Sequence, residues 1–206
     1  MLKIWGRMNS INVRKVVWAA QELGLAFQRI EAGGQFGVVK EPDYLHMNPN
    51  AQVPVIDDEG FILWESNVIV RYLCAMHSAG KLYQLGLAQR FAAEQWMDWQ
   101  QTSFNPAVRN GFIQWIRTPV VQRQPELIAQ SNAETGPLLD ILDAHLARQP
   151  FMSGAQFGMA DISLGCAIHR WFGLPQPRLP RHHLDAWYEQ MLARPASHGV
   201  LDLTLS

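Results

Sequence analysis

Apolar positions along the first eighty residues change period several times. Leu2 to Trp5 is a short apolar run closed by Gly6, which predicts a buried strand. Asn9 and Ser10 are helix-capping residue types. After them Ile11, Val13, Val16, Val17, Ala20 and Leu23 recur at helical spacing until Gly24. Ala26 to Ile30 alternates and predicts a second strand, and a glycine-containing loop runs from Ala32 to about Lys40. Pro42 opens a short helix, and Asn48-Pro49-Asn50 is a turn. Val53 to Asp57 and Phe61 to Trp64 flank Asp58-Glu59-Gly60, a hairpin pattern. Glu65 and Ser66 then precede Val68, Ile69, Tyr72, Leu73 and Met76 at helical spacing. The order βαβαββα describes one compact α/β domain, residues 1–80.

The period changes after Ser78-Ala79-Gly80, and strand patterns vanish. Leu87 to Trp115 reads as a long helix that Asn105-Pro106 kinks rather than ends. Pro125 to Leu146 is another helix. Ala160 to Trp171 is apolar on most faces and belongs at the centre of a bundle. Pro175, Pro177 and Pro180 stiffen the approach to a last amphipathic helix, His182 to Leu192. Residues 86–206 therefore predict a second, all-α domain.

Composition narrows the class. With 48% hydrophobic and 17% charged residues, the chain is too apolar to be disordered. A formal net charge of −1 and scattered basic residues give no field that would draw it to nucleic acid or to an anionic membrane. No apolar run is long enough to span a bilayer, and Met1 to Gly6 lacks the apolar stretch of a signal peptide. Cys74 and Cys166 stand in no metal-ligand or redox spacing and read as buried thiols, which suits a reducing, cytoplasmic setting.

Three places carry chemistry. Proline at the start of a central strand removes a ladder donor, so Val53-Pro54 is either an edge feature or a cis bond at a sharp turn. The cis form would free the Val53 backbone to pair with an extended peptide. Glu65 and Ser66 begin a helix, whose amides and dipole favour an anion; they are equally good caps. Asn9-Ser10-Ile11-Asn12 lies at the C-terminal end of the first strand, where open α/β sheets bind ligands. A donor there could stabilise a thiolate. Lowering a thiol by two pH units takes about 2.7 kcal/mol. One hydrogen bond to a charged acceptor supplies about 1.5–3 kcal/mol. Asn9 or Ser10 could also simply cap the first helix.

Asn48 to Asp58, with Val53-Pro54 at its centre, and Trp64-Glu65-Ser66-Asn67-Val68-Ile69-Val70-Arg71-Tyr72-Leu73 resemble the glutathione-binding core of the cytosolic glutathione S-transferases. That family reads N-P-x-x-x-V-P-x-L and then E-S-x-A-I-x-x-Y-L, at the same separation. Gly158-Met159-Ala160-Asp161-Ile162 resembles its motif opening a central helix, with glycine where serine or threonine is usual. The resemblance implies a thioredoxin-like N-terminal domain, an all-α helical C-terminal domain, glutathione as co-substrate and no metal. It implies a cis Pro54, a Val53 backbone that pairs with the cysteinyl residue, and Glu65 and Ser66 on the γ-glutamyl end. Asn9, Gln35, Lys40 and Gln52 join them as candidate glutathione contacts.

The resemblance places the catalytic residue just after the first strand, where Gly6 to Asn12 contains no Tyr or Cys. Ser10 therefore matches the serine of the theta-like and related bacterial branches, with Asn12 second and Asn9 third. Met8, Phe104, Phe112, Trp115 and Trp171 are the candidates to line an electrophile pocket between the domains, although aromatics at helical spacing are more often core. His169 reads as a satisfied buried histidine. The expected activity is attack of the glutathione thiolate on a hydrophobic electrophile. The alternatives are glutathione-dependent reduction of a disulfide or peroxide, and binding of glutathione or an apolar ligand without catalysis. A homodimer with Arg71 near its interface is also implied.

Overall fold

A computed structural model describes residues Met1 to Ser206. Strand β1 (Leu2–Trp5) leads into helix α1 (Ile11–Glu22), β2 (Phe27–Ile30) and the short helix α2 (Pro42–Met47). The hairpin β3 (Val55–Asp58) and β4 (Phe61–Trp64) and helix α3 (Ser66–His77) follow. The sheet order is β2-β1-β3-β4, with β1 parallel to β2 and the other pairs antiparallel. This is the thioredoxin-like arrangement. Ile4 in β1 pairs with Ile56 in β3, and both are fully enclosed. The β3 strand begins at Val55, two residues later than its sequence pattern suggests, because Pro54 has no N–H for the ladder; the Val53-Pro54 bond is cis.

The remainder is helical: α4 (Leu87–Trp99), α5 (Asn105–Phe112), α6 (Pro125–Leu146), α7 (Met159–Phe172) and α8 (His182–Leu192). The kink expected at Pro106 takes the form of a π turn, Gln100–Phe104, directly before it. Proline cannot donate to the carbonyl one turn back, and the wider turn accommodates that loss. A second π turn, Ile113–Arg117, ends this long helical run.

Helix α7 starts well despite its glycine cap. The Ser153 hydroxyl accepts from the Ala160 amide (3.2 Å) and so replaces the missing side-chain cap. A Cβ on Gly158 would come within 2.8 Å of that same oxygen, so a side chain here would displace Ser153. Asp161, fully buried, accepts from the amides of Met152 (2.7 Å), Ser153 (3.1 Å) and Gly158 (3.0 Å) and from Trp187 Nε1 (2.9 Å). One carboxylate thereby ties three segments to the start of the central helix.

The sheet layer and the helices share one core. Trp18 of α1 is fully buried against Gly165 of α7, where a Cβ would approach its ring to 2.7 Å. Helix α1 is thus the element that carries contacts from the sheet into the bundle, and its first turn bears the candidate thiol donors.

Candidate active site

A cavity of about 200 Å³ is lined by Asn12, Asn48, Asn50, Gln52, Val53, Pro54, Glu65, Ser66 and Gln101. Its walls come from the first turn of α1, the loop before β3, the start of α3 and the π turn. Loop 48–53 is held from behind. The Asn48 side chain donates to the Gln52 carbonyl (2.9 Å) and accepts from the Asn50 amide (3.0 Å), and the Tyr44 hydroxyl donates to the same carbonyl (2.7 Å). Burial pushes the Tyr44 hydroxyl well above its ordinary range, so it stays a donor. Behind this bracing, the N–H and C=O of Val53 make no hydrogen bond within the chain. An unpaired donor and acceptor on one residue, beside a cavity, offer an extended peptide two backbone bonds.

Glu65 precedes α3 with φ 73° and ψ 108°, a conformation that costs a non-glycine residue of order 1–3 kcal/mol. Glu65 and Ser66 both line the cavity, and the exposed Glu65 carboxylate forms no ion pair. The Ser66 hydroxyl has no partner within the chain.

The turn after β1 leads into α1. Gly6 N–H bonds to Ile30 O (2.8 Å), Arg7 N–H to Ala32 O (3.2 Å) and Ser10 N–H to Arg7 O (3.1 Å). Ser10 occupies the N-cap of α1 with extended φ and ψ, but its hydroxyl makes no capping bond. The first turn of α1 has no acidic residue to offset its positive end. Asn12 Oδ1 and Asn9 Oδ1 are both buried without partners. Asn12 lines the cavity, whereas Asn9 faces a narrow cleft with Phe112, Cys166, His169 and Arg170. Arg14 fixes the segment: it donates to Met8 O (2.7 Å), Val200 O (3.1 Å), Leu203 O (3.1 Å) and Thr204 O (2.9 Å).

Beneath the cavity floor lies Lys15, fully buried. Its Nζ donates to Asn67 Oδ1 (3.1 Å) and Gln100 Oε1 (2.7 Å). Asn67 follows Ser66 and Gln100 precedes Gln101, so one cation links two cavity walls to α1. Burial lowers its pKa to about 7, and the nearby Arg170 adds to the effect. Lys15, Asn48, Asn50 and Gln101 are site-building residues absent from the sequence-based candidates. Lys15 had a usable signal: it stands four residues after Ile11, on the apolar face of α1.

Other candidates lie elsewhere. Gln35 and Lys40 are exposed on the loop after β2 and do not line the cavity. Phe104 is fully buried and packs on Trp99, with ring centroids 5.9 Å apart. Trp115 donates to Gln176 (2.9 Å), and Arg123 lies over its ring. Trp171 is almost entirely enclosed, and Met8 packs half-buried against the core. Of the five, Phe112 alone lines the cleft beside Asn9. His169 is held by the Tyr188 hydroxyl (2.8 Å) and Leu203 O (3.0 Å). Cys74 and Cys166 are free thiols pushed up to about 12 by burial, and so unreactive. No group of three or more His, Cys, Asp or Glu is placed to hold a metal ion, and no helix is long and apolar enough to cross a membrane.

Comparison with known proteins covers the whole chain. Residues 1–75 match the family model "Glutathione S-transferase, N-terminal domain", and residues 125–190 match "Glutathione S-transferase, C-terminal domain". Glutathione S-transferase GstB of Escherichia coli is 39% identical over the full length of both chains. Glutathione S-transferase 3 of Zea mays is 30% identical over 95% of this chain and 90% of its own. A theta class glutathione S-transferase from Xanthomonas axonopodis pv. citri, with glutathione bound, superposes with a TM-score of 0.96 at 43% identity, covering 100% of this chain and 99% of that one.

Proposed function

The chain belongs to the glutathione S-transferase family, and we propose that Ser10 activates the glutathione thiol for attack on an electrophile seated between the sheet and the helical domain. The observation that carries this reading is the Ser10 hydroxyl, placed at a helix N-terminus and spent on no cap. Glutathione lies along the cavity with its cysteinyl backbone on Val53 and its γ-glutamyl carboxylate on Ser66 and the α3 amides. Its ammonium pairs with Glu65. Gln52 and Asn12 border it, while Gln35 and Lys40 lie on the loop available to the glycyl end. The thiol proton passes to solvent. The thiolate accepts from Ser10, forms the new carbon–sulfur bond, and the leaving group departs with its electron pair.

Glutathione-dependent disulfide exchange is the second reading. It is favoured by Asn12, whose amide borders the cavity with an unpartnered oxygen. Parallel assays with an aryl halide and with a glutathione mixed disulfide separate the two. Turnover of neither, with glutathione still bound, would leave a non-catalytic binding protein.

We propose further that residues 1–80 and 86–206 act as glutathione-binding and substrate domains of a cytoplasmic homodimer. Phe61, Trp64, Val68 and Phe91 expose apolar surface on β4, α3 and α4, the support for that interface. Arg71 pairs within its own chain with Asp98 and Glu94, so its contribution is to orient α4 beside this face. Sedimentation at micromolar concentration tests the dimer.

A further inference from the structure

Most arginines of this chain have partners. Arg29, Arg71, Arg90, Arg178, Arg181 and Arg194 pair with carboxylates, and Arg14 is saturated by carbonyls. Arg7, Arg109, Arg117, Arg148 and Arg170 have no carboxylate within 4.0 Å, and no side-chain hydrogen bond leaves any of them. Arg109 and Arg148 are simply exposed, whereas Arg117 and Arg170 share one aromatic ring. Arg117 and Arg170 lie over the Phe112 ring, 4.9 and 4.6 Å from its centroid. Arg170 and Phe112 line the narrow cleft that also contains Asn9. Arg7 begins the turn that ends at Ser10, and its guanidinium rests over Gly33 and Gly34, where a Cβ on Gly33 would come within 2.9 Å of Nη1. The three belong to both domains, Arg7 to the first and Arg117 and Arg170 to the second.

No carboxylate offsets the like charge of Arg117 and Arg170. Burial and then repulsion from Arg117 hold Arg170 down to about 10, and Arg117 is itself lowered by burial and by Arg7. Uncompensated like charges with spare donors bind anions well, because a guanidinium matches a carboxylate in shape and each contact is charge-assisted. The residues of the nearby glutathione cavity do not include these three.

Resting on the transferase reading above, we infer that the second substrate is an anionic electrophile, one whose carboxylate is held by Arg117 and Arg170, while its reacting carbon lies against the thiolate at Ser10. In that reaction the thiolate sulfur bonds to carbon and a halide, or an equivalent group, leaves with the bonding pair. The carboxylate is unchanged and serves as the handle. This class replaces the neutral, purely hydrophobic electrophile as the preferred substrate.

The test compares 4-chloro-3-nitrobenzoate with 4-chloro-3-nitrobenzamide, each with glutathione. Each kcat/KM is divided by the uncatalysed rate constant for the same compound. The expected result is an acceleration at least about tenfold greater for the anion, one charge-assisted contact's worth. Raising the salt concentration should shrink that ratio. Arg117→Gln, on an exposed side chain, should lower it severalfold, and Arg117→Gln with Arg170→Gln should bring it close to one. Arg170→Lys, which keeps the charge, should retain most of it. A wild-type ratio at or below one, with the benzamide turned over, overturns the inference and leaves the transferase reading standing. So does an unchanged ratio in Arg117→Gln and the double variant accompanied by a raised KM for glutathione, since the arginines would then serve the tripeptide. Turnover of neither compound, nor of 1-chloro-2,4-dinitrobenzene, overturns both.

Discussion

Ser10→Ala removes one hydroxyl from a position where it caps nothing, so its effect should fall on the thiol rather than on the helix. A hydrogen bond to an ionised acceptor is worth about 1.5–3 kcal/mol. At about 1.36 kcal/mol per pH unit, its loss raises the bound thiol's pKa by roughly one to two units. The positive end of α1, unopposed by any acidic residue in its first turn, remains in the variant and keeps part of the depression. Below both pKa values the thiolate fraction then falls about 10- to 150-fold. A more basic thiolate is also more nucleophilic, with a Brønsted coefficient of about 0.4–0.5, and recovers roughly half of that loss on a logarithmic scale. The net expectation at acidic pH is a four- to fifteenfold lower kcat/KM, about 1 kcal/mol or slightly more.

The sign changes with pH. Above both pKa values the variant's glutathione is fully ionised, and its rate should equal or exceed the wild type's. The measurement is kcat/KM against pH with a neutral aryl halide, beside the ultraviolet absorbance of the bound thiolate. The acid limb and the absorbance titration should move up together by one to two units, and Ser10→Thr should move them far less. An unmoved limb in Ser10→Ala, with a moved limb in Asn12→Ala or Asn9→Ala, would assign the donor to that asparagine.

Three further outcomes are expected. Asp161→Ala orphans four buried donors at about 1–3 kcal/mol each, so the variant should lose more than about 4 kcal/mol in urea unfolding or fail to accumulate as folded protein. Lys15 is held near pH 7 in the fold against 10.5 for a free side chain, so between those values the unfolded chain binds more protons and stability rises with pH; Lys15→Met should flatten that rise, read from unfolding midpoints at pH 7 and pH 9. Glu65→Gly should relieve the positive-φ strain and raise the thermal midpoint, while KM for glutathione rises through loss of the carboxylate and a loosened α3 start; an unchanged KM would remove Glu65 from the ammonium site.

Periodicity located the helices because a single apolar stripe must face one core. Pro125–Leu146 and His182–Leu192 begin and end where their pattern does. The βαβαββα order was legible for the same reason, and the sheet carries it. What periodicity could not supply was the partner of a polar residue. Lys15 falls in the stripe of α1 and reads as an interruption until Asn67 and Gln100, 52 and 85 residues away, close around it. The aromatic candidates failed in the opposite direction: helical spacing groups Phe104 and Trp171 with Phe112, yet the first two are consumed by packing, and what singles out Phe112 is a pair of arginines that no local pattern joins. Ser153, which caps α7 in place of the absent serine at 158, is likewise invisible to a motif read in register.

The proposed site is assembled from groups that the fold leaves unsatisfied: the Val53 backbone, the Ser10 and Ser66 hydroxyls, Asn12 Oδ1 and the strained Glu65. A folded chain keeps such groups in place only where neighbouring residues are over-satisfied, because an unpaired polar group otherwise finds a partner or water by moving. Asn48 and Tyr44 perform this for Val53, Lys15 for the start of α3, and Arg14, with four carbonyl partners, for the turn that ends at Ser10. Three of the Arg14 partners lie after residue 199, so the turn that carries Ser10, the proposed thiol donor, is tied to the far end of the chain.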